Sequence, residues 1–329
     1  MNGRNYTNNL VDIVACNYNP RSYLRGDGVV TIFQWIEQQL VTAGNEARRL
    51  FHGRGGCFPG YESIAIDWFS PLVIVRLYDE IDDNIKESLI NFFRQQAGVK
   101  ALLIQTRGRG RDTEHEIVFG EVPECLIATE LGLQYEISPA QFQNNGLFLD
   151  MRHGREWVMT HAKDRNVLNL FAFTCAFSVA AIAGGAKQVV NVDMSKRALS
   201  IGRANHRLNN QSHSDVKYLP YDMLKSWSRI RKPGPYDLII IDPPSFQPGS
   251  FIAEKDYRKV LRRLHELASG EALVLACHND PTMDESFVRS IMQEECSEFT
   301  YQYSLSPQED FPNKQAYQGV KGMIYQRGS

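Results

Sequence analysis

Three apolar runs in the second half of the chain, each ending at polar residues, are the clearest pattern in the sequence. They lie within residues 167–174, 190–193 and 238–246. Runs of this kind, rich in β-branched residues, are typical of strands that helices cover on both faces. The pattern predicts an α/β domain with a parallel sheet. In open α/β sheets, ligands bind outside the carboxyl ends of the strands.

The first part of the chain has shorter and less regular elements. Apolar residues recur at helical spacing over 31–50 and 81–96. Strand patterns occupy 61–68, 72–78, 101–106, 116–119 and 133–137. Pro, Gln and Asn gather at 138–145, which indicates a boundary. Three parts are therefore predicted: a partly helical extension over 1–45, a small α+β domain that binds substrate over 46–140, and the α/β domain over 141–329.

Length and composition favour a two-domain globular protein. The chain has 329 residues, and its cysteines form no CxxC pair, so we expect free thiols and no zinc ribbon. The cysteines are Cys16, Cys57, Cys125, Cys175, Cys277 and Cys296. No apolar run is long enough to span a bilayer and the N-terminus does not match a signal peptide, so a cytoplasmic location is expected.

Charge is unevenly distributed along the chain. The net charge is −2, but residues 151–270 hold 19 Lys and Arg against 10 Asp and Glu, a local net charge of +9. A basic block can follow a phosphate backbone, although basic residues on the outer faces of helices are usually solvated surface. Charge alone therefore leaves nucleic-acid binding open.

The turn after the first of these strands, residues 171–176, contains no glycine. It therefore does not match the GxGxxG turn of dinucleotide-binding enzymes, which brings backbone N–H groups close to a pyrophosphate. Ala172, Cys175 and Ala176 in this turn are small, and Thr174 can cap the next helix. A ligand without phosphates, such as S-adenosylmethionine, remains compatible. A buried turn without a ligand is the alternative.

Acidic residues follow the next two strands. Asp193 ends the second strand, 24 residues after Asn169, near the spacing at which a carboxylate accepts hydrogen bonds from ribose hydroxyls. Asp222 follows the third strand, where it could accept a hydrogen bond from an adenine amino group. Each can instead be the N-cap of the helix that follows.

The strongest local signal is the segment Asp242-Pro-Pro-Ser-Phe246. Two prolines cannot continue a buried strand, so they form a rigid turn that presents Asp242 at the carboxyl end of the strand. Phe246 offers a ring on which a planar base can stack. A purely structural turn is the alternative, but its position behind the other two elements favours a methyltransferase.

Together these motifs resemble class I S-adenosylmethionine-dependent methyltransferases of the group that includes the bacterial large-subunit ribosomal RNA methyltransferases I and K. The resemblance covers about residues 46–329. It rests on segments 49–60, 64–67, 145–152, 167–180, 184–186, 191–195, 204–209, 242–246, 311–312 and 320–323. Members that methylate cytosine C5 usually begin with a small RNA-binding PUA domain, and the first 45 residues are too short and too helical for one.

The resemblance implies a Rossmann-like domain with a seven-stranded, mostly parallel sheet and helices on both faces. It also implies S-adenosylmethionine as cofactor and ribosomal RNA, or another RNA, as substrate. Phe171 and Thr174 are then expected near the methionine part of the cofactor, Asp193 at the ribose and Asp222 at the adenine. Met194 is also expected to contact the cofactor. Relatives of this kind can also pair through the smaller domain, which would give a homodimer.

The same resemblance assigns catalytic and RNA-binding roles. The target base would enter over Pro243 and Phe246, with Asp242 contacting both base and cofactor. Transfer is a direct displacement, so no metal is expected. Three arginines spaced by glycines are candidates for phosphate contact, with a surface loop without a ligand as the alternative. These are Arg107, Arg109 and Arg111.

Cys277 follows the fifth predicted strand, where relatives that methylate cytosine C5 carry a nucleophilic cysteine. A thiolate must add at C6 of the pyrimidine to activate C5, and His278 beside it could favour the thiolate. The neighbouring residues do not match the Ser-Cys-Ser usual in those relatives, and a guanine nitrogen needs no cysteine. Cys277 is therefore either a nucleophile or an ordinary core residue.

Four functions remain in view, and methylation of an RNA base is favoured. A methyltransferase for a protein or a small molecule would have a closed apolar pocket. A nicotinamide-dependent oxidoreductase is disfavoured by the missing glycines. A non-catalytic relative would bind RNA without consuming the methyl donor. Neither the target nucleotide nor its reacting atom follows from the sequence.

Overall fold

The computed structural model describes residues 31–107, 113–141, 144–211, 214–247, 250–315 and 318–328. The chain divides into two compact units. The first unit comprises the chain up to Gly132 together with 137–145 and 308–316. The second comprises 133–136, 146–307 and the chain from residue 317 onward. Each unit is thus assembled from segments that are separate in the sequence.

The first unit is built on a five-stranded sheet. Its elements are α1 (Ile32–Ala43), β1 (Arg48–His52), β2 (Ile64–Phe69), β3 (Leu72–Leu77), α2 (Asp83–Arg94), β4 (Ala101–Thr106), β5 (Glu114–Phe119) and β6 (Leu126–Glu130). The sheet has the order β1-β2-β3-β4-β5, and only β3 and β4 are parallel neighbours. Apolar side chains of both helices pack on one face of the sheet and form the core of this unit.

The predicted helix over 31–50 is wrong in its second half. α1 ends at Ala43, and Gly44 takes a positive φ of 56°. The chain then forms β1, which pairs antiparallel with β2. The spacing of apolar residues remains helical there, but pairing with β2 satisfies the backbone groups of β1. Gly44 permits the turn between α1 and β1.

The second unit contains a larger sheet. Its strands are β7 (Leu133–Ile137, of which 133–136 belong to this unit), β8 (Asn166–Leu170), β9 (Gln188–Val192), β10 (Val216–Leu219), β11 (Tyr236–Ile241), β12 (Phe246–Gln247), β13 (Phe251–Ile252), β14 (Ala268–His278), β15 (Phe299–Ser304) and β16 (Lys321–Arg327). Seven of them form one sheet in the order β10-β9-β8-β11-β14-β16-β15. The first five in this order are parallel, and the last two are antiparallel to their neighbours. The predicted α/β fold with a mostly parallel sheet is confirmed.

Helices cover both faces of this sheet. They are α3 (Arg152–His161), α4 (Ala176–Ala183), α5 (Lys196–Leu208), α6 (Trp227–Arg231), α7 (Ala253–Leu261), α8 (Leu264–Leu267) and α9 (Ser286–Glu295). Successive strand residues point to opposite faces, so Val167 belongs to the core formed with α3 and α4, and Leu168 to the core formed with α7 and α9. Burial of both faces explains the continuous apolar runs. In the ranges that the structure describes, no helix has the length and apolar character needed to cross a bilayer.

The cysteines do not all carry free thiols. Cys57 is disulfide-bonded, whereas Cys125, Cys175, Cys277 and Cys296 are free. The expectation of free thiols is therefore wrong at Cys57. Spacing in the sequence could not reveal this bond, because a disulfide depends on the distance between two Cα atoms in the folded chain.

Candidate active site

A cleft that is open to solvent lies at the carboxyl ends of the parallel strands. It brings together four of the predicted cofactor residues, Phe171, Asp193, Met194 and Asp222. The rest of its lining is Tyr221, Met223, Leu224, Gln247, Ser250 and Phe251. These last residues come from the turn after β10 and from the hairpin after β11. The sequence predicted Asp222 of that turn as a cofactor contact, but none of these six residues.

The turn that follows β8 has an unusual backbone. Phe171, Phe173 and Cys175 have positive φ values of 57°, 45° and 61°, although none of them is glycine. Such conformations cost on the order of 1–3 kcal/mol each and persist only where the surrounding structure holds them. The groups that hold this turn therefore help to set the shape of the cleft.

Asp193 is one of these groups. Its Oδ2 accepts the N–H of Phe173 at 2.8 Å, and its Oδ1 accepts the N–H of Ser195 at 2.8 Å. Burial raises the pKa of Asp193, while these two hydrogen bonds lower it. The N-cap of α5 is Ser195, whose Oγ accepts the N–H of Ala198 at 3.1 Å. The alternative in which Asp193 caps the helix is therefore wrong. A carboxylate has about four acceptor positions, so ligand hydroxyls can still bind it.

Two other predicted cofactor residues make local hydrogen bonds. Asp222 accepts the N–H of Leu224 at 3.1 Å, as an N-cap does, and its side chain also lines the cleft. Thr174 is buried and donates to the carbonyl of Gly146 at 2.6 Å. The predicted helix cap by Thr174 is wrong, because the N-cap of α4 is Cys175 and makes no side-chain hydrogen bond. A contact of Thr174 with the cofactor stays a prediction.

Gly202 of α5 leaves the space that the Cys175 side chain occupies. A Cβ at position 202 would lie 2.9 Å from Cys175 Cβ and would overlap its Sγ. We expect Gly202→Ala to lower the free energy of unfolding by about 1–3 kcal/mol, measured by denaturant unfolding, because overpacking outweighs the gain in helix propensity.

The matched variant combines Gly202→Ala with Cys175→Gly. Glycine removes the overlapping side chain and suits the positive φ of residue 175. The double variant should be more stable than Gly202→Ala alone. Equal stability of the two would contradict this account of the packing.

Asp242 lies at the end of β11, outside the lining of the cleft. Pro243 beside it is buried, and Phe246 is 63% exposed. Burial and the nearby Asp150 carboxylate raise the pKa of Asp242 to about 7, against the opposing effect of Arg155. A carboxyl that titrates near neutral pH is suited to proton transfer. The contact of Asp242 with the cofactor stays a prediction.

Residues 148–155 supply groups that sequence reasoning left without a role. Arg155 is 2% exposed, and its Nη2 donates to the carbonyl of Phe148 at 2.7 Å. The Phe148 ring is 44% exposed and lies 5.4 Å from the Phe173 ring. Asp150 raises the pKa of both Asp242 and Cys277. The resemblance of segment 145–152 to the family indicated that this segment matters. It did not indicate which of its side chains lie near the carboxyl ends of the strands.

Cys277 lies in the core, near the carboxyl end of β14. It is fully buried, and burial, with the Asp242 and Asp150 carboxylates, raises the pKa of its thiol well above the usual range. His278 points to the opposite face, where its ring lies 5.0 Å from that of Phe287. Burial lowers the pKa of His278 to about 4. The expectation that His278 favours a Cys277 thiolate is wrong, because consecutive strand residues point to opposite faces.

Arg107 lies at the end of β4 in the first unit. Its guanidinium is 5.4 Å from the centre of the Tyr78 ring, and the guanidinium of Arg54 lies 3.9 Å from the same ring. Burial lowers the pKa of Arg107 to about 10, so it remains a cation at neutral pH. Arg54 belongs to the family-like segment 49–60 but was not predicted as a contact. Arg109 and Arg111 lie outside the described residues.

Sequence comparisons identify methyltransferase relatives. The sequence model for S-adenosylmethionine-dependent methyltransferases matches residues 48–326. The Bacillus subtilis protein named "Putative ribosomal RNA large subunit methyltransferase YwbD" is 28% identical over 288 residues, which cover 82% of this chain and 71% of that protein. Ribosomal RNA large subunit methyltransferase K/L of Pseudoalteromonas translucida is 28% identical over 259 residues, which cover 74% of this chain and only 35% of that protein.

Structural comparisons give the same fold. The crystal structure of SMU.776, described as a putative methyltransferase complexed with SAH, is 27% identical with a TM-score of 0.80, and the match covers 90% of this chain and 80% of that one. The tRNA m1G37 methyltransferase of M. jannaschii, 18% identical with a TM-score of 0.57 over 80% of this chain and 74% of that one, shares the fold alone. The comparisons do not support the expected homodimer.

The cleft has the groups that S-adenosylmethionine requires. Asp193 offers acceptors for ribose hydroxyls, and Asp222 offers an acceptor for an adenine amino group. Phe171 and Phe251, whose rings lie 4.8 Å apart, give the lining its apolar surface. The family match extends over most of the chain. The chain therefore belongs to the S-adenosylmethionine-dependent methyltransferases and is an enzyme that uses this methyl donor.

Proposed function

We propose that this enzyme methylates a base of ribosomal RNA, and that the reacting atom is a guanine nitrogen that carries a proton. The observation that carries the proposal is the Asp242–Phe246 turn, which joins a carboxyl with a pKa of about 7 to a 63% exposed aromatic ring. A base with an N–H needs both a stacking surface and a proton acceptor. The names of the relatives supply the ribosomal RNA part.

The acceptor side of the site is assigned to three aromatic residues. Phe246 is exposed at the rigid turn, and the exposed Phe148 ring packs on the half-buried Phe173 ring. The buried Arg155 holds the carbonyl of Phe148, and Asp193 holds the N–H of Phe173. Base–aromatic stacking contributes about 1–3 kcal/mol per base in single-stranded nucleic-acid binding. RNA is recognised mainly through unpaired bases of this kind. The exposed rings therefore suit a base that has left its stack.

The proposed mechanism is a direct displacement. The bound donor supplies an electrophilic methyl group on its sulfonium. Asp193 and the strained turn would hold the ribose of the donor and so position it against the acceptor. Positioning of this kind can supply a large part of a rate enhancement. Asp242 orients the guanine and accepts the N–H proton as the N–C bond forms and the S–CH₃ bond breaks. The leaving group is S-adenosylhomocysteine, and the methylated base is neutral.

The state of Cys277 supports a nitrogen acceptor over cytosine C5. Covalent activation of cytosine needs an accessible thiolate, and this thiol is fully buried with a raised pKa. We expect Cys277→Ala to keep methyl transfer within about threefold of wild type, measured with labelled donor. Thermal unfolding of the same variant controls for the small cavity that it creates. Complete loss of transfer in a stable Cys277→Ala protein would instead assign the cytosine C5 reaction.

The test of the proposed function is transfer of a labelled methyl group from S-adenosylmethionine to ribosomal RNA from a strain that lacks this protein. Label in the large-subunit RNA, recovered as a methylated guanine, would support the proposal. Donor binding without labelled RNA would overturn it and bring protein or small-molecule acceptors forward.

Phosphate contacts are proposed for Arg107 and Arg54, whose guanidinium groups both lie near the Tyr78 ring. Contacts of Arg109 and Arg111 remain predictions from the sequence.

A further inference from the structure

We propose that Asn205 is a positioning residue that fixes the donor-binding turn after β8 and couples its conformation to residues 133–136. Asn205 lies on α5 in the family-like segment 204–209, for which neither the cleft nor the acceptor site provides a role. It does not line the cleft. The proposal concerns donor binding and does not depend on the identity of the acceptor.

The carboxamide of Asn205 is fully buried and uses both of its ends. Its Nδ2 donates to the carbonyl of Thr174 at 2.9 Å, and its Oδ1 accepts the N–H of Glu136 at 2.7 Å. These two partners are separated by 38 positions in the sequence. One side chain thus joins the cofactor turn to the start of the second unit.

The hydrogen bond from Asn205 to the Thr174 carbonyl lies within the strained part of the turn. Thr174 stands between Phe173 and Cys175, two residues with positive φ. Asp193 holds the N–H of Phe173 from the cleft side, and Asn205 holds the carbonyl of Thr174 from the buried side. The strained turn is therefore held between a carboxylate that lines the cleft and a buried amide that does not. Loss of the amide bond should let the turn relax and weaken donor binding without removing any donor contact.

Asn209 provides a matched control, because it lies one helical turn further along the chain and holds the same segment. Its Oδ1 accepts the N–H of Gln134 at 2.9 Å, and its Nδ2 donates to the carbonyl of Gln134 at 2.7 Å and to that of Asn205 at 2.8 Å. Among the described residues, these contacts do not include the turn. Variants at 205 and 209 therefore separate the turn from the 133–136 segment.

The test is the dissociation constant of S-adenosylmethionine, measured by calorimetry with the full chain. Asn205→Asp keeps an acceptor for Glu136 but places an oxygen against the Thr174 carbonyl, so we expect at least tenfold weaker binding. Asn209→Asp should stay within threefold of wild type. Binding by Asn205→Asp within twofold of wild type would overturn the proposal, as would equal weakening by both variants.

Amide hydrogen exchange of the wild-type protein tests the coupling even if Asn205→Asp does not fold. Coupling between two sites is reciprocal, so a donor that stabilises the turn should slow exchange of the Glu136 N–H more than that of the Gln134 N–H. A folded Asn205→Asp protein should lose this difference. Equal protection of both amides in the wild type would contradict the coupling. A merely structural role predicts no donor-dependent difference.

Discussion

Replacement of Asp193 by Ala should weaken S-adenosylmethionine binding by about 100-fold or more. The carboxylate holds two backbone N–H groups, of Phe173 and Ser195, and is the proposed acceptor for the ribose hydroxyls. Hydrogen bonds to a charged group contribute about 1.5–3 kcal/mol each, and about 1.4 kcal/mol corresponds to a factor of ten. The dissociation constant from calorimetry measures the effect.

Two variants make this test specific. Asp193→Asn keeps one acceptor oxygen and should lie between wild type and Asp193→Ala. Asp222→Asn should have a smaller effect, since Asp222 is engaged by Leu224 and by Lys225 at 2.9 Å and offers the donor fewer free positions. Unchanged donor affinity in Asp193→Ala would refute the assignment of the ribose site.

Replacement of Asp242 by Asn should reduce methyl transfer by about 100-fold or more and leave donor affinity within about threefold. The residue lies outside the cofactor cleft, and general acid–base groups typically contribute factors of 10²–10⁴. Single-turnover transfer and donor calorimetry on the same preparation separate the two effects. An active Asp242→Asn protein would contradict its role as proton acceptor, and loss of donor binding would place Asp242 in the cofactor site.

The rate of transfer should also rise with pH through about 7. Asp242 accepts a proton only when it is ionised, and its pKa is raised to about 7 by burial and by Asp150. Asp150→Asn removes a negative neighbour, which makes ionisation of Asp242 easier, so the midpoint should move to lower pH. A pH-independent rate between pH 6 and 8, or a midpoint that moves upward in Asp150→Asn, would argue against this proton transfer.

Much of the fold was predictable because its signals are local. Buried parallel strands need apolar residues on both faces, so β8, β9 and β11 are visible as continuous runs, and the residues at their ends are known at once. This is why Phe171, Asp193 and Met194 were predicted from the sequence before the cleft that they line was known. Asp222 follows the shorter strand β10, and its acidic side chain was the signal there. Local spacing failed at β1, where pairing with a distant strand decides between helix and sheet.

By itself the sequence determined the α/β class, the strand ends that form the cleft, and the turn that carries Asp242, because each depends on residues that are neighbours in the chain. Only the tertiary structure decided which distant groups meet. It turned His278 away from Cys277, brought Asp150 near Asp242, and joined Asn205 to both Thr174 and Glu136. Burial, charge interaction and hydrogen bonding depend on distances through space, and the folded chain sets those distances.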